Sequence, residues 1–528
     1  MSRPHGVPWL LTWVVLICQT GCCLLDSIGA AESFSHVRPF SNKSNLDQGY
    51  CERKRKTNSF STWSLSSESL IATLPVDTIP ENSIRKVRDC IFSVAYPTPF
   101  ISRVLLVAVS KDVLEGILDL DVSVKETDDF LQLVSGGKVV LGSIPLAHRY
   151  GGHQFGSWAG QLGDGRAHLL GVYTNRYGER WELQLKGSGK TPYSRNGDGR
   201  AVLRSSVREF LCSEAMHYLG IPTSRAARTL LDFVIQEHFP SVNMNDSNRY
   251  LDFFSRVVLE TANLIALWMS VGFAHGVCNT DNFSLLSITI DYGPFGFMES
   301  YDPNFVPNTS DDERRYKIGN QANVGMFNLN KLFQALKPVL DRRQKKLAFQ
   351  ILEGYSQHYY TRFTELFRAK LGLLGENEDD NYLIAFLLKL MEDTKADFTM
   401  AFRHLSEITQ DQLKELRIPQ EFWALQDLAK HKFFSDWITI YLLRLGRNMG
   451  DSDSTRRKRM TAVNPRYILR NWMAESAIQK AKMNDFSEVH LLQEVLQHPF
   501  QRQAAAEKAG YSLRPPSWAK DLKVSCSS

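Results

Sequence analysis

The sequence predicts an α+β fold of two lobes, a β-rich N-terminal lobe followed by a helical C-terminal one, and three observations carry that expectation. Glycine is dense over Gly151, Gly152, Gly156, Gly160, Gly163 and Gly165, where the backbone can turn sharply and approach other groups closely. Strand-like runs over 168–173 and 181–186 flank the turn Asn175-Arg176-Tyr177-Gly178, the pattern of a β-hairpin feeding a further strand. Beyond residue 228 apolar residues recur mostly at helical spacing.

The elements follow in chain order. Residues 9–17 (WLLTWVVLI) are apolar, preceded by Arg3 and followed by the small residues of 27–31. This reads as a targeting segment over 1–31, of secretory type and too short to span a membrane. Residues 32–85 are rich in Ser, Asn, Lys and Arg, with the basic run Arg53-Lys54-Arg55-Lys56, and are expected to form a poorly ordered linker. The N-terminal lobe is assigned to 86–227 and the helical lobe, with its site loops and C-terminal tail, to 228–528. Val202, Leu203, Val207, Phe210, Leu211 and Leu219 set a helical stripe over 201–219, which Gly220 and Pro222 stop. Helices are expected over Leu230–Val234, Phe253–Trp268, 330–372, 380–405, 430–446 and 465–483. Leu285-Leu286 and Ile288-Thr289-Ile290 are short β-prone pieces.

Composition bounds the function. With 528 residues the chain can bury two or three sizeable cores. A formal charge of +5 is small for this length and does not point to nucleic acid or an acidic membrane. The eight cysteines form no CxxC pair, so neither a zinc site nor a disulfide framework is indicated.

Three constellations carry chemistry. The first is Gly160-Gln161-Leu162-Gly163-Asp164-Gly165-Arg166, where missing side chains would let backbone N–H groups reach phosphate oxygens. The second is Lys186, closing an alternating run, with Glu209 on the following helix. A lysine at a strand end can neutralise phosphate charge, and a helical glutamate can hold it in place, as in protein kinases. The third is His275-Gly276-Val277-Cys278-Asn279-Thr280-Asp281-Asn282 and then Asp291-Tyr292-Gly293. Asn282 and Asp291 are hard oxygen ligands at the spacing a kinase-like magnesium site requires. No His-Arg-Asp motif is present, which leaves Asp281 as the nearest proton acceptor. Glycine turn, Lys, helical Glu, Asn and Asp fall in the order of the protein kinases, so the expected architecture is a protein-kinase-like two-lobed fold.

Longer motifs resemble the selenoprotein O family. They are Tyr150-Gly151-Gly152-His153-Gln154-Phe155-Gly156 through Arg166, Glu179 through Gly187, Asp198-Gly199-Arg200, Leu203 through Met216, His275 through Phe297, and Asn464 through Asn471. The resemblance covers about 145 to 528 and implies a kinase fold that binds ATP in a flipped orientation and transfers AMP to Ser, Thr or Tyr hydroxyls of protein substrates. It implies nucleotide contacts from Gly163, Gly165, Arg166, Lys186, Asp198, Gly199 and Asp291, a lysine-positioning role for Glu209, and Asp281 as proton acceptor. Asn282 and Asp291 would hold Mg2+, with Mn2+ as an alternative.

The sequence departs from that family in three places. After Thr223-Ser224-Arg225-Ala226 the chain passes almost at once to Leu230-Leu231, where the family has several dozen more residues, including arginines that grip the distal phosphates. Pro307 stands where members often carry a cysteine paired with one near the C-terminus. Cys526 occupies the third position from the end, where selenium-containing members have selenocysteine, and is a redox candidate. The first departure leaves two alternatives beside adenylyltransferase, an impaired nucleotide-binding pseudoenzyme or scaffold, and a protein kinase. The resemblance implies a mitochondrial protein, against the secretory look of the N-terminus. Asn282-Phe283-Ser284 and Asn308-Thr309-Ser310 are glycosylation sequons, and a glycan on Asn282 would abolish metal binding.

Overall fold

The computed structural model of the protein describes residues 13–18, 56–101 except 58 and 61, 104–223 and 241–524, together with Ile235 and Phe239. Its N-terminal lobe is built on one sheet. The strands are β1 (Trp13–Cys18), β2 (Val76–Asp77), β3 (Phe92–Val94), β4 (Leu146–Gln154), β5 (Ser157–Gly163), β6 (Ala167–Thr174) and β7 (Arg180–Lys186). They run in the order β1-β7-β6-β4-β3-β2, with β5 pairing β4 off that path. The expected hairpin is β6–β7, antiparallel from Ala167↔Lys186 to Thr174↔Arg180. Its turn closes because the Asn175 side-chain oxygen accepts from the backbone N–H of Tyr177 and Glu179, the local bonding that makes Asn a turn residue. One face packs Leu170, Tyr173, Leu183 and Leu185 against Trp63, Leu118 and Phe130, and the other packs Leu146, Leu169 and Val172 against Leu70 and Phe92.

One expectation for this lobe is corrected. The linker expected over 32–85 is in its described later part a packed layer. Helix α1 (Glu68–Thr73) and strand β2 lie there, and Trp63, Leu65, Leu70 and Leu74 are buried. Apolar residues spaced among polar ones are enough to cover both sheet faces, although they make no long run. The glycine-dense stretch 146–163 forms a further hairpin, β4–β5, paired from Arg149↔Gly163 to Gln154↔Ser157.

Helix α2 (Asp128–Ser135) caps the outer face, and α3 (Leu203–Tyr218) connects the lobes. The second lobe begins with α4 (Arg249–Ser270), a long helix buried on one face. The expected helix over 330–372 is three: α5 (Gln321–Leu336), α6 (Arg342–Glu353) and α7 (Tyr355–Lys370). The first break lies at a turn containing Pro338, and α6 restarts on a capping box between Asp341 and Gln344. The chain continues through α8 (Asp380–Thr394), α9 (Phe398–Glu407), α10 (Gln410–Lys414), α11 (Trp423–Leu428), α12 (Phe434–Leu445), α13 (Asp453–Val463), α14 (Asn471–Lys482), α15 (Ser487–Gln497) and α16 (Ala504–Lys508). The β-prone pieces at 285–290 form no strands. Thr289 makes a single bridge to Thr223, and the short ladder of this region is instead β8 (Phe273–Ala274) with β9 (Gly296–Phe297). The backbone between them is committed to turns that present side chains. Among the described residues no helix is long and apolar enough to cross a membrane. The expected helix at Leu230–Val234, and Cys526, lie outside the described residues.

Helix α3 packs its buried face on the helical lobe, where Val207, Phe210, Leu211, Ala215 and Met216 join a core with α4, α14 and α15. Arg208 is 3% exposed, donates 2.8 Å to the Phe295 carbonyl and 3.1 Å to Asn471 Oδ1, and lies over the Phe295 ring. Arg204 adds an ion pair of 2.5 Å with Glu475. These contacts set the position from which Glu209 reaches into the cleft.

Candidate active site

Lys186 ends β7 with its ammonium at the centre of the cleft between the lobes. Its Nζ lies 2.6 Å from Glu209 Oε1 on α3 and 3.0 Å from Asp291 Oδ1 in the helical lobe. Burial by itself would lower the lysine's pKa, but the two carboxylates raise it above its ordinary value, so it is cationic throughout the physiological range. Lys186 in turn pulls the Asp291 carboxyl down to about 2. Asp291 has a left-handed φ of +56°, uncommon for a residue with a side chain, and its side chain is 47% exposed toward the cleft.

The segment before Asp291 is tied down on both sides. His275 Nε2 pairs with the Ile290 carbonyl at 2.7 Å, and Thr280–Asn282 forms one 3-10 turn. Asn282 donates its amide to the Val277 carbonyl at 3.0 Å, so its side-chain oxygen is the end left for a ligand. Asp281 accepts 2.9 Å from Gln154 Nε2 on Oδ2, while Oδ1 is buried with no hydrogen-bond partner. Burial raises the Asp281 pKa, and the Gln154 bond opposes this. Tyr150 is half-buried beside Asp164, Asp281 and Asp291; desolvation first, and then these carboxylates, push its hydroxyl pKa well up.

The glycine-rich stretch is closely packed. A Cβ on Gly163 would stand 2.4 Å from the Tyr193 ring and 2.7 Å from the His148 carbonyl, and one on Gly165 would stand 3.0 Å from the Tyr193 carbonyl. Asp164 accepts from His148 N–H and Gln184 Nε2, and burial lifts its pKa to about 7. Thr191 and Ser194 donate to the Asp164 and Gly165 carbonyls. Arg166 acts on both Lys186 and Asp291 through its charge. Asp198 and Gly199 lie on the flanking loop, where the Asp198 carboxylate is exposed and accepts from the Arg200 N–H. Gly199 has φ +72°, and a Cβ there would stand 2.2 Å from the Gly189 carbonyl. The structure thus gathers Lys186, Glu209, Asp281, Asn282, Asp291 and Arg166, with Asp198 and Gly199 at the side.

Among the described residues no group of three or more His, Cys, Asp or Glu side chains could hold a metal. The donor set fits a different kind of ion. One amide oxygen and one ionised carboxylate suit a hard cation that completes its shell with phosphate and water, as Mg2+ does. Pro307 is buried against Gly276 and Gly296, and the chain's end runs beside it: Thr309 N–H donates 3.0 Å to the Val524 carbonyl. Asn308, in the second sequon, is 2% exposed and donates its amide to the Gly276 carbonyl.

Sequence reasoning missed Gln154, Arg195 and Tyr316 as parts of this site. Arg195 acts on Asp281 and Tyr150 through its charge, and the Tyr316 hydroxyl donates 2.5 Å to Asn279 Oδ1 beneath the same turn. The block Gly151 to Gly156 was the one available signal, and nothing in its spacing alone says that it meets residues 279–281.

Comparison with known proteins shows what the chain as a whole is similar to. The family model described as protein adenylyltransferase SelO matches residues 80–229 and 226–497. The junction of the two matches falls where the sequence passes from Ala226 to Leu230. The protein nucleotidyltransferase YdiU of Pseudomonas fluorescens (strain SBW25) is 40% identical, over 85% of this chain and 98% of its own. That of Herminiimonas arsenicoxydans is 41% identical, over 85% of this chain and 96% of its own.

Proposed function

The chain belongs to the SelO family of protein adenylyltransferases, and on that premise we propose that its cleft transfers AMP from ATP to Ser, Thr or Tyr hydroxyls of proteins, releasing pyrophosphate. The observation that carries the reading is the meeting of Lys186 with Glu209 and Asp291 across the lobes, with Asp281 close enough to feel the Asp291 charge. Lys186 and Arg166 offset the charge that develops on the departing pyrophosphate. Glu209 keeps Lys186 at the strand end. Asp281 takes the proton from the acceptor hydroxyl as its oxygen bonds to the α-phosphorus and the α–β bridging oxygen leaves. Gly163, Gly165, Asp198 and Gly199 line the side on which the nucleotide lies, and Asn282 and Asp291 would hold Mg2+, or Mn2+ in its place. Bound there, the cation would neutralise phosphate oxygens and orient them.

The test is transfer of label from ATP labelled on the α-phosphate, with Asp291→Ala as control. Protein-bound label that vanishes in the control supports adenylylation, and label carried only from the γ-phosphate supports a protein kinase instead. The place where the two family matches meet favours a second reading, a pseudoenzyme that binds nucleotide without transfer. Binding of ATP with no label on protein would decide for it.

We further propose a mitochondrial location, which the two sequons support. Asn282 is a site residue and Asn308 is buried with its amide engaged, so glycosylation at either is incompatible with this structure. A mitochondrial location satisfies that requirement, and a glycan found on either residue by peptide mass analysis would contradict it.

A further inference from the structure

Three consecutive residues of the β4–β5 hairpin donate to three consecutive residues of the opposite lobe. His153 N–H donates 2.7 Å to Thr280 Oγ1, Gln154 Nε2 donates 2.9 Å to Asp281 Oδ2, and Phe155 N–H donates 3.0 Å to Asn279 Oδ1. The Tyr316 hydroxyl joins the last pair from below, accepting 3.1 Å from Phe155 N–H. Gly152 closes against the same carboxylate: a Cβ there would stand 2.5 Å from Asp281 Oδ1. The hairpin tip therefore seals one carboxylate oxygen and binds the other.

From this geometry we infer that Gln154 is a positioning residue for Asp281, and that the tip from Gly152 to Phe155 is the element that orients the proton acceptor. The inference rests on the adenylyltransferase reading and concerns a residue to which neither lobe's motifs assign a role. A carboxylate on a short turn can rotate about its χ angles, and a rotated acceptor misses the hydroxyl proton. Here rotation is blocked twice. Oδ1 lies against the Gly152 backbone, where a partner would have no room. Oδ2 is held by one amide hydrogen, and a carboxylate oxygen has a second lone pair to offer. The acceptor hydroxyl thus gives its proton to Oδ2 while its oxygen bonds to the α-phosphorus, the bond to the bridging oxygen breaks, and pyrophosphate leaves with that electron pair. Gln154 touches neither nucleotide nor acceptor; it acts through Asp281. Two of the three clasp bonds use main-chain N–H groups of residues 153 and 155, so their register survives replacement of the Gln154 side chain. That separates its orienting role from the clasp as a whole.

The experiment measures AMP transfer by the full chain and by Gln154→Ala, each in the native and the Asp281→Asn background, together with ATP affinity and thermal midpoint. The expected result is a kcat lowered about 10-fold or more in Gln154→Ala, with KM for ATP and the midpoint within error of the native chain. In the Asp281→Asn background the same change should cost little further, because its target is gone. An equal cost in both backgrounds, or loss of kcat together with ATP affinity and midpoint, would mean a merely structural residue and overturn the inference. A raised kcat would overturn it too, by showing that the hairpin tip covers the acceptor rather than orienting it. Absence of transfer by the native chain would overturn the adenylyltransferase reading itself, a result the Gln154 variants do not enter.

Discussion

Arg208 and Asn471, 263 residues apart in the chain, are joined inside the protein by a hydrogen bond of 3.1 Å. The bond ties α3 to the start of α14, and its neighbour in sequence, Glu209, bonds Lys186. The motif around Asn471 was legible only as a family likeness; its physical role is to receive this helix.

Arg208→Met should therefore cost both stability and activity. It leaves the Phe295 carbonyl and the Asn471 side chain without their buried donor, a loss of about 2–4 kcal/mol. Denaturant unfolding reads the first effect. The second is a fall in AMP transfer by the folded fraction, because Glu209 no longer sits where Lys186 requires it. Arg208→Lys should restore little, since burial already lowers the Arg208 pKa to about 10 and a lysine would lose charge there more readily.

Lys186→Ala should lower AMP transfer by about 100-fold or more, measured with α-labelled ATP, because among the described residues Lys186 is the cation paired with both lobes' carboxylates, Glu209 and Asp291. The fold should survive, since the lysine is replaced at a strand end rather than in a core.

The two glycines of β5 should respond differently to alanine. Gly163→Ala forces a methyl into the Tyr193 ring and the His148 carbonyl, and about 1–3 kcal/mol of overpacking is expected. Gly160→Ala meets nothing within 4 Å but has a φ of +76°, so only the backbone cost of about 1 kcal/mol applies. Thermal midpoints of the two variants should fall in that order.

Acid should loosen the C-terminal part of the chain. Arg466, followed by Tyr467 and Ser512, holds the Glu507 carboxyl at about 2, below its ordinary 4.5. A depressed folded-state value means the stabilisation is complete above about pH 4.5 and is lost as pH falls through 2. Solvent screening at this half-buried group holds its size to on the order of 2 kcal/mol. Glu507→Gln should lower stability at pH 7 and flatten the profile between pH 4.5 and 2, which urea midpoints across that range would read.

Chelation should abolish AMP transfer while leaving the thermal midpoint almost unchanged. Lys186 lies 3.0 Å from Asp291 and offsets its charge, so the contact between the lobes is not expected to need the ion. A midpoint that drops with EDTA would contradict this.

What was legible in the sequence follows from the range of the forces involved. The β6–β7 hairpin declared itself because alternation and an Asn-initiated turn act over a few residues. Lys186, Glu209, Asn282 and Asp291 were legible by their order along the chain. The β4–β5 hairpin was hidden because Gly151, Gly152, Gly156 and Gly160 interrupt the alternation, and its pairing is set by close packing that glycine permits. Trp63 and Leu65 escaped notice because single apolar residues in a polar stretch are buried only by a sheet formed a hundred residues later. Gln154 escaped for the same reason: its partner is 127 residues away.

Helix α3 has consequences for control. It is enclosed by α14 and α15 on one side and anchored through Arg204 and Arg208. A helix so enclosed cannot swing outward as an on–off lever, because withdrawal would strip a continuous core and expose two bonded arginines together. The lysine–glutamate pair it supports is then held assembled by the core itself, and any switching of this protein would act through access to its cleft.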